Sequence, residues 1–128
     1  MIADTTFLID LEREVKRQVP GRAANFLSKI GDTSIAVSIV AAAELSEGFP
    51  DSGRASAYRF LKHFAILEVD AETGWIWSRL SRQTRTDGRT IGDNDLWIAA
   101  TAARHARPLV TRNTRDFKGL PGVVLADY

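Results

Sequence analysis

Short apolar runs alternate along the chain with stretches in which apolar residues recur every three or four positions. Residues 1–3 are apolar and run into Asp4-Thr5-Thr6, which predicts a short strand ending at a capped helix N-terminus. Residues 7–15 follow with Phe7, Leu8, Leu11 and Val15 on the apolar side, and Glu12, Arg13 and Lys16 off it. Pro20-Gly21 breaks the pattern. Residues 23–30 then place Ala23, Phe26, Leu27 and Ile30 on one helical face, so an antiparallel helix pair is expected. Residues 34–39 read as a buried β-branched strand, and 40–47 as an Ala-rich helix ended by Gly48 and Pro50. A helix opening at Ser52 and running through Tyr58, Phe60, Leu61 and Phe64 is followed by a short strand over 66–69. The spacing over 71–86 predicts a helix with Ile76, Leu80 and Trp77 inward. Trp75 and Trp77 are two positions apart and cannot share a helix face, so one is expected in the core and one outside. Residues 92–104 form a helix that is apolar nearly all round and therefore buried on more than one side. Strands over 108–111 and 123–126 complete the pattern. Apolar strands separated by helices predict an α/β fold whose parallel sheet is covered on both faces.

A chain of 128 residues with 45% hydrophobic and 26% charged residues is expected to fold as one globular domain spanning 1–128. It has no cysteine, which removes disulfides, thiolate metal sites and cysteine nucleophiles. No apolar run approaches a membrane span, and no basic segment precedes an apolar one at the start, so a cytoplasmic protein is expected. The net charge of +1 neither requires nor excludes a nucleic acid. Thirteen of its 17 basic residues are Arg, however, and the Arg fork matches phosphates and carboxylates.

The acidic residues carry the chemistry. Ligands of open parallel sheets bind beyond the carboxyl ends of the strands. Asp4 ends the first predicted strand, Glu44 lies one or two turns into the helix after the second, Asp93 and Asp95 open the long helix, and Asp116 follows the strand ending at Thr111. Converging carboxylates repel each other and need a neutralising cation. All-oxygen donors suit magnesium or manganese better than zinc, and such an ion suits phosphoryl chemistry. Thr5 or Thr6 is placed to hold a water or a phosphate, and Asn113 to orient a carboxylate. Each acid also has a plain structural reading: Asp4, Asp93 and Asp116 as caps, Glu44 as a solvent-facing residue, Asp95 as first-turn charge. His63 and His105 lie away from the predicted strand ends and are read as structural or surface residues.

Four stretches are recognisable together: Met1-Ile2-Ala3-Asp4-Thr5-Thr6, Ser38-Ile39-Val40-Ala41-Ala42-Ala43-Glu44-Leu45, Ile91-Gly92-Asp93-Asn94-Asp95-Leu96-Trp97-Ile98-Ala99-Ala100, and Leu109-Val110-Thr111-Arg112-Asn113-Thr114-Arg115-Asp116-Phe117. In order and spacing the chain resembles the PIN-domain ribonucleases, specifically the VapC-type toxins of toxin–antitoxin pairs. The resemblance implies a three-layer α/β/α sandwich around a parallel sheet. It implies a magnesium- or manganese-dependent endoribonuclease in which Asp4, Glu44 and Asp95 hold the metal and Asp116 completes the site, with Asp93 auxiliary. It further implies transfer or ribosomal RNA as substrate, 5′-phosphate and 3′-hydroxyl products, a homodimer, and a cognate antitoxin that blocks the groove.

Arg79, Arg82, Arg85 and Arg89 recur every three or four residues just before the Asp93/Asp95 block and are a candidate phosphate-tracking stripe; a solvated helix face is the alternative. Arg112 and Arg115 flank the last acidic site. Phe7, Leu8 and Leu11, with the 23–30 helix, form a candidate groove for an antitoxin helix, and core packing accounts for them equally well. Among other functions, a haloacid-dehalogenase-like phosphatase wants an acid where Thr6 stands, and a receiver domain wants a late Lys in a context Lys118 lacks. A structure-specific DNA nuclease and a catalytically inert PIN-like RNA- or protein-binding module remain as alternatives.

Overall fold

The first strand, β1 (Ile2–Ala3), is two residues long, and both are fully buried. A computed structural model describes residues 1–128. Around β1 lie β2 (Ala36–Ser38), β3 (Ala65–Leu67), β4 (Leu109–Val110) and β5 (Leu125–Ala126), in the order β3-β2-β1-β4-β5 with every pairing parallel. Ile2 is in register with Ala36 on one side and Leu109 on the other. The inner strands β1, β2 and β4 are buried at every position, as expected of strands covered on both faces. The edge strand β3 instead exposes Ala65 and Ile66.

The helices are α1 (Thr5–Arg17), α2 (Arg22–Ile30), α3 (Ile39–Glu47), α4 (Arg54–Leu61), α5 (Ala71–Thr86), α6 (Asp93–Arg104) and α7 (Thr114–Phe117). They flank the sheet and give the expected α/β architecture. The α1–α2 turn is held by one acid. Glu14 accepts the backbone N–H groups of Ala23 and Ala24, at 3.1 and 2.8 Å, and so supplies the cap that Gly21, at the N-cap position, cannot. α5 is capped by Asp70, which accepts from the Thr73 backbone and hydroxyl and pairs with Arg104 of α6 at 3.1 Å. α5 and α6 meet through Trp77 and Trp97, stacked with centroids 5.0 Å apart and ring planes at 17°. Trp75 lies outside, as the two-residue spacing requires.

Three expectations change. The helix read from Ser52 to Phe64 is a 3-10 turn at Asp51–Gly53 followed by α4, which ends at Leu61. The segment after β4, for which no helix was read, forms one short helix, α7. Phe7 and Leu8 are completely buried, so they are core and cannot form the floor of a docking groove, whereas Leu11 keeps a small exposed surface on the groove side of α1. No helix is long and apolar enough to cross a membrane.

Candidate active site

From β1 the chain moves outward to β2 and β3, then returns to the opposite side of β1 as β4. In open parallel sheets such a switch, here between β1 and β4, is where a ligand site is expected, beyond the carboxyl ends of the strands. Asp4 is the first residue past β1, and its backbone N–H still bonds to Val110 of β4 at 3.1 Å. The carboxyl of Asp4 is buried at 3% exposure and caps α1 by accepting the Phe7 N–H at 2.7 Å. The cap and the site position therefore coincide in one residue. Burial pushes this carboxyl above its ordinary value, and Asp10 adds to that; Thr111, the Phe7 N–H and Arg112 act against it.

Glu44 enters from α3, whose N-terminus is fixed by Ser38 accepting the Val40 N–H at 3.2 Å. Its neighbours Ala41, Ala42 and Leu45 are buried, which leaves Glu44 half-buried at the inner margin of the helix. The Thr5 hydroxyl donates to Glu44 Oε1 at 2.8 Å. Thr6 makes no side-chain hydrogen bond.

Asp95 lies in the first turn of α6, where the helix field favours negative charge. Even so, its carboxyl is pushed above the ordinary value, first by burial and then by the charges of Glu44, Asp4 and Asp116. Glu44, Asp4 and Asp116 are thus within electrostatic reach of Asp95. None of them forms an ion pair with a protein cation, since the two salt bridges of the fold are Arg104–Asp70 and Arg112–Asp10. Asp116 projects from α7; Asn113 Nδ2 donates to its carboxylate and Arg89 to its carbonyl oxygen. Asp93 is exposed at the start of α6 and is not among the charges acting on Asp95.

In this arrangement no three carboxylates come close enough to ligate one ion. The chemistry of the donors nevertheless fits a hard divalent cation: oxygen atoms only, none of them in an ion pair, with repulsion at Asp95 that no Lys or Arg offsets.

The arginines separate into different environments. Arg79 lies over the Trp75 ring at 5.7 Å, Arg85 folds back onto Ser81 of its own helix, and Arg89 is bound to the α7 backbone. Arg82 and Arg115 are exposed and unpaired. Arg112 pairs with Asp10 at 3.3 Å. Sequence reasoning missed three residues here. Thr111 is fully buried beside Asp4, and its hydroxyl accepts the Asn113 N–H at 2.9 Å. Asp10 lies on α1, pairs with Arg112 and adds its charge at Asp4; six residues after Asp4, it is off that residue's helical phase, so spacing gave no signal. Tyr128 reaches Asp10 from the far end of the chain, which no local pattern announces.

The PIN domain family model matches residues 1–123. Ribonuclease VapC1 of Methanocaldococcus jannaschii is 31% identical over 129 aligned positions, covering 100% of this chain and 86% of the relative. Ribonuclease VapC4 of Mycobacterium tuberculosis is 30% identical over 129 positions, covering 95% and 92%. Among solved structures, VapBC2 of Rickettsia felis bound to a promoter DNA fragment superposes with a TM-score of 0.81 at 26% identity, over 99% of this chain and 97% of that one. A family model matching nearly the whole length, with 31% identity to a ribonuclease VapC over the full chain, places the chain in the PIN-domain family and, within it, among the VapC proteins.

Proposed function

We propose that the chain is an endoribonuclease toxin that hydrolyses RNA phosphodiesters with a divalent cation, magnesium or manganese, and is held inactive by a cognate antitoxin. The observation that carries this reading is the charge of Glu44, Asp4 and Asp116 acting together on Asp95, with no protein cation paired to any of the four.

In this reading Asp4, Glu44 and Asp95 would hold the ion and Asp116 would complete the site. A divalent cation bound there supplies a counter-charge for the phosphate and acidifies an attacking water. The chain's own residues do the rest. Thr5 fixes one oxygen of Glu44, leaving the other for the site. Asp4 spends Oδ1 on the α1 cap, which sets its orientation. Asn113 fixes Asp116, and α7 is itself tied down by Arg89. Arg112 and Arg115 flank the acids and attract the phosphate backbone, with Arg82 and Arg79 extending the basic surface. The 3′ oxygen of the upstream nucleotide leaves, giving 5′-phosphate and 3′-hydroxyl ends. Asp93 and Thr6 are auxiliary.

A cognate antitoxin is supported by the relatives, which are crystallised as toxin–antitoxin complexes, among them the R. felis VapBC2 complex. It is also supported by an apolar groove lined by Leu11, Val15, Leu27, Phe49, Phe60 and Phe64, in which α2 takes part as expected but Phe7 and Leu8 do not. A homodimer is supported by Ile39, Tyr58 and Ile66, exposed beside the open edge strand β3.

Incubation of the purified protein with transfer and ribosomal RNA, in magnesium, manganese or EDTA, tests the activity. Discrete cuts with 5′-phosphate ends, absent in EDTA, are expected. RNA left intact under all three conditions would favour the inert binding module instead.

A further inference from the structure

Asp10, Arg112 and Tyr128 come from α1, the segment after β4 and the segment after β5, and they meet at one carboxylate oxygen. Asp10 Oδ2 accepts from the Tyr128 hydroxyl at 3.0 Å and pairs with Arg112 at 3.3 Å. The Arg112 guanidinium also lies over the Tyr128 ring, 5.8 Å from its centroid. Tyr128 is anchored: it is 8% exposed, and its ring meets Phe7 edge-on at 4.8 Å and Phe26 at 6.3 Å. A core-bound ring and a helix-bound carboxylate therefore hold a side chain that is itself 41% exposed.

The clamp stands beside the acids. Both Arg112 and Asp10 act electrostatically on Asp4, with opposite signs. A guanidinium whose charge is felt at a carboxylate can form a charge-assisted hydrogen bond with it. Arg112 does not pair with Asp4; it pairs with Asp10. An Arg carries five N–H donors, and the pair with Asp10 engages one nitrogen, so in this part-exposed side chain other donors are left for a partner.

We infer that Asp10 and Tyr128 are positioning residues: they hold the Arg112 guanidinium at the rim of the acidic crevice, where it meets a phosphate of the bound nucleic acid instead of collapsing onto Asp4. The inference rests on the reading of the crevice as a ribonuclease site. It adds two residues that touch neither metal nor substrate.

The test is a double-mutant cycle on Tyr128→Phe and Arg112→Ala, read as binding of a short fluorescein-labelled single-stranded RNA in EDTA, and as KM and kcat for RNA cleavage with magnesium. Tyr128→Phe keeps the ring in the core and removes only the hydroxyl; melting curves confirm that it stays folded. Arg112→Ala is expected to weaken binding about 5- to 20-fold, the range of a partly exposed charge-assisted hydrogen bond. Tyr128→Phe should weaken binding about 2- to 5-fold and raise KM with little change in kcat. In the Arg112→Ala background it should change neither. An equal loss from Tyr128→Phe in both backgrounds would overturn the inference, because it would mark a general structural role. So would normal binding by Arg112→Ala. If the parent protein binds RNA but does not cut it, the nuclease reading fails, while the binding cycle still decides whether the clamp acts through Arg112.

Discussion

Thr5 donates a 2.8 Å hydrogen bond to Glu44 across 39 residues of sequence, joining the first turn of α1 to α3. The bond ties together the two halves of the acidic crevice, because Asp4 caps the helix that Thr5 begins. Thr5→Val keeps the shape of the side chain and removes the donor. Cleavage is expected to fall about 5- to 20-fold, with stability changed by less than about 1 kcal/mol, the net worth of one such bond. Thr5→Ser should restore most of the activity. Cleavage rates and melting temperatures of the two variants decide this. Full activity in Thr5→Val would show that Glu44 needs no holding.

Asp95 costs the fold stability at neutral pH. Burial, then Glu44, Asp4 and Asp116, raise its carboxyl above the ordinary value of 3.8. A carboxyl raised by folding binds its proton more tightly in the native state. Stability therefore falls as pH rises from the unfolded value through the folded one, and the cost is complete above that window. Asp95→Asn should stabilise the metal-free protein at pH 7 by about 0.5–1 kcal/mol, after allowance for its partial exposure. The gain should vanish as the pH drops below 3.8. Denaturant unfolding in EDTA at several pH values measures it. A destabilised variant at pH 7 would contradict the crowding of these acids.

Glu14 and Gly21 form one unit. A Cβ at Gly21 would fall 2.5 Å from Glu14 Oε1, the carboxylate that caps α2. Three backbone donors, from Ala24, Ala23 and Gly21, outweigh the desolvation of Glu14 and hold its carboxyl below the ordinary value. Gly21→Ala should therefore displace the cap, costing about 1 kcal/mol, and Glu14→Ala should cost a similar amount. Their combination should cost little more than either alone, because the same bonds are lost. Additive losses in thermal unfolding would show that Gly21 serves some other purpose.

The alternation of strands and helices was legible because buried strands and amphipathic helices leave distinct periods, and β1, β2 and α5 fall where those periods placed them. The end of α4 was not legible. Phe64 continues the apolar pattern past Leu61, but it packs against the core from a turn. α7 is a single turn, too short to show a period. Asp4 could be read from its place at a strand end, and Asp95 from its place in the first turn of the long helix. Their convergence depends on the order β3-β2-β1-β4-β5, which local pattern does not contain. Asp10 and Tyr128 are separated by 118 residues, and only the folded sheet brings them together. The arginine series 79–89 looked uniform in sequence, yet Trp75, Ser81 and α7 each take one member as a partner.

The most direct measurement compares the parent protein with Asp95→Asn, purified identically, on one pool of transfer and ribosomal RNA with magnesium, manganese or EDTA. Asp95 is the acid on which the other three act, and the amide keeps its size while removing its charge. The parent should produce discrete, metal-dependent cuts, and Asp95→Asn should lose them by at least about 100-fold, the scale of losing a primary charge in a metal site. Equal cutting by both proteins would contradict the assignment of this crevice as the active site.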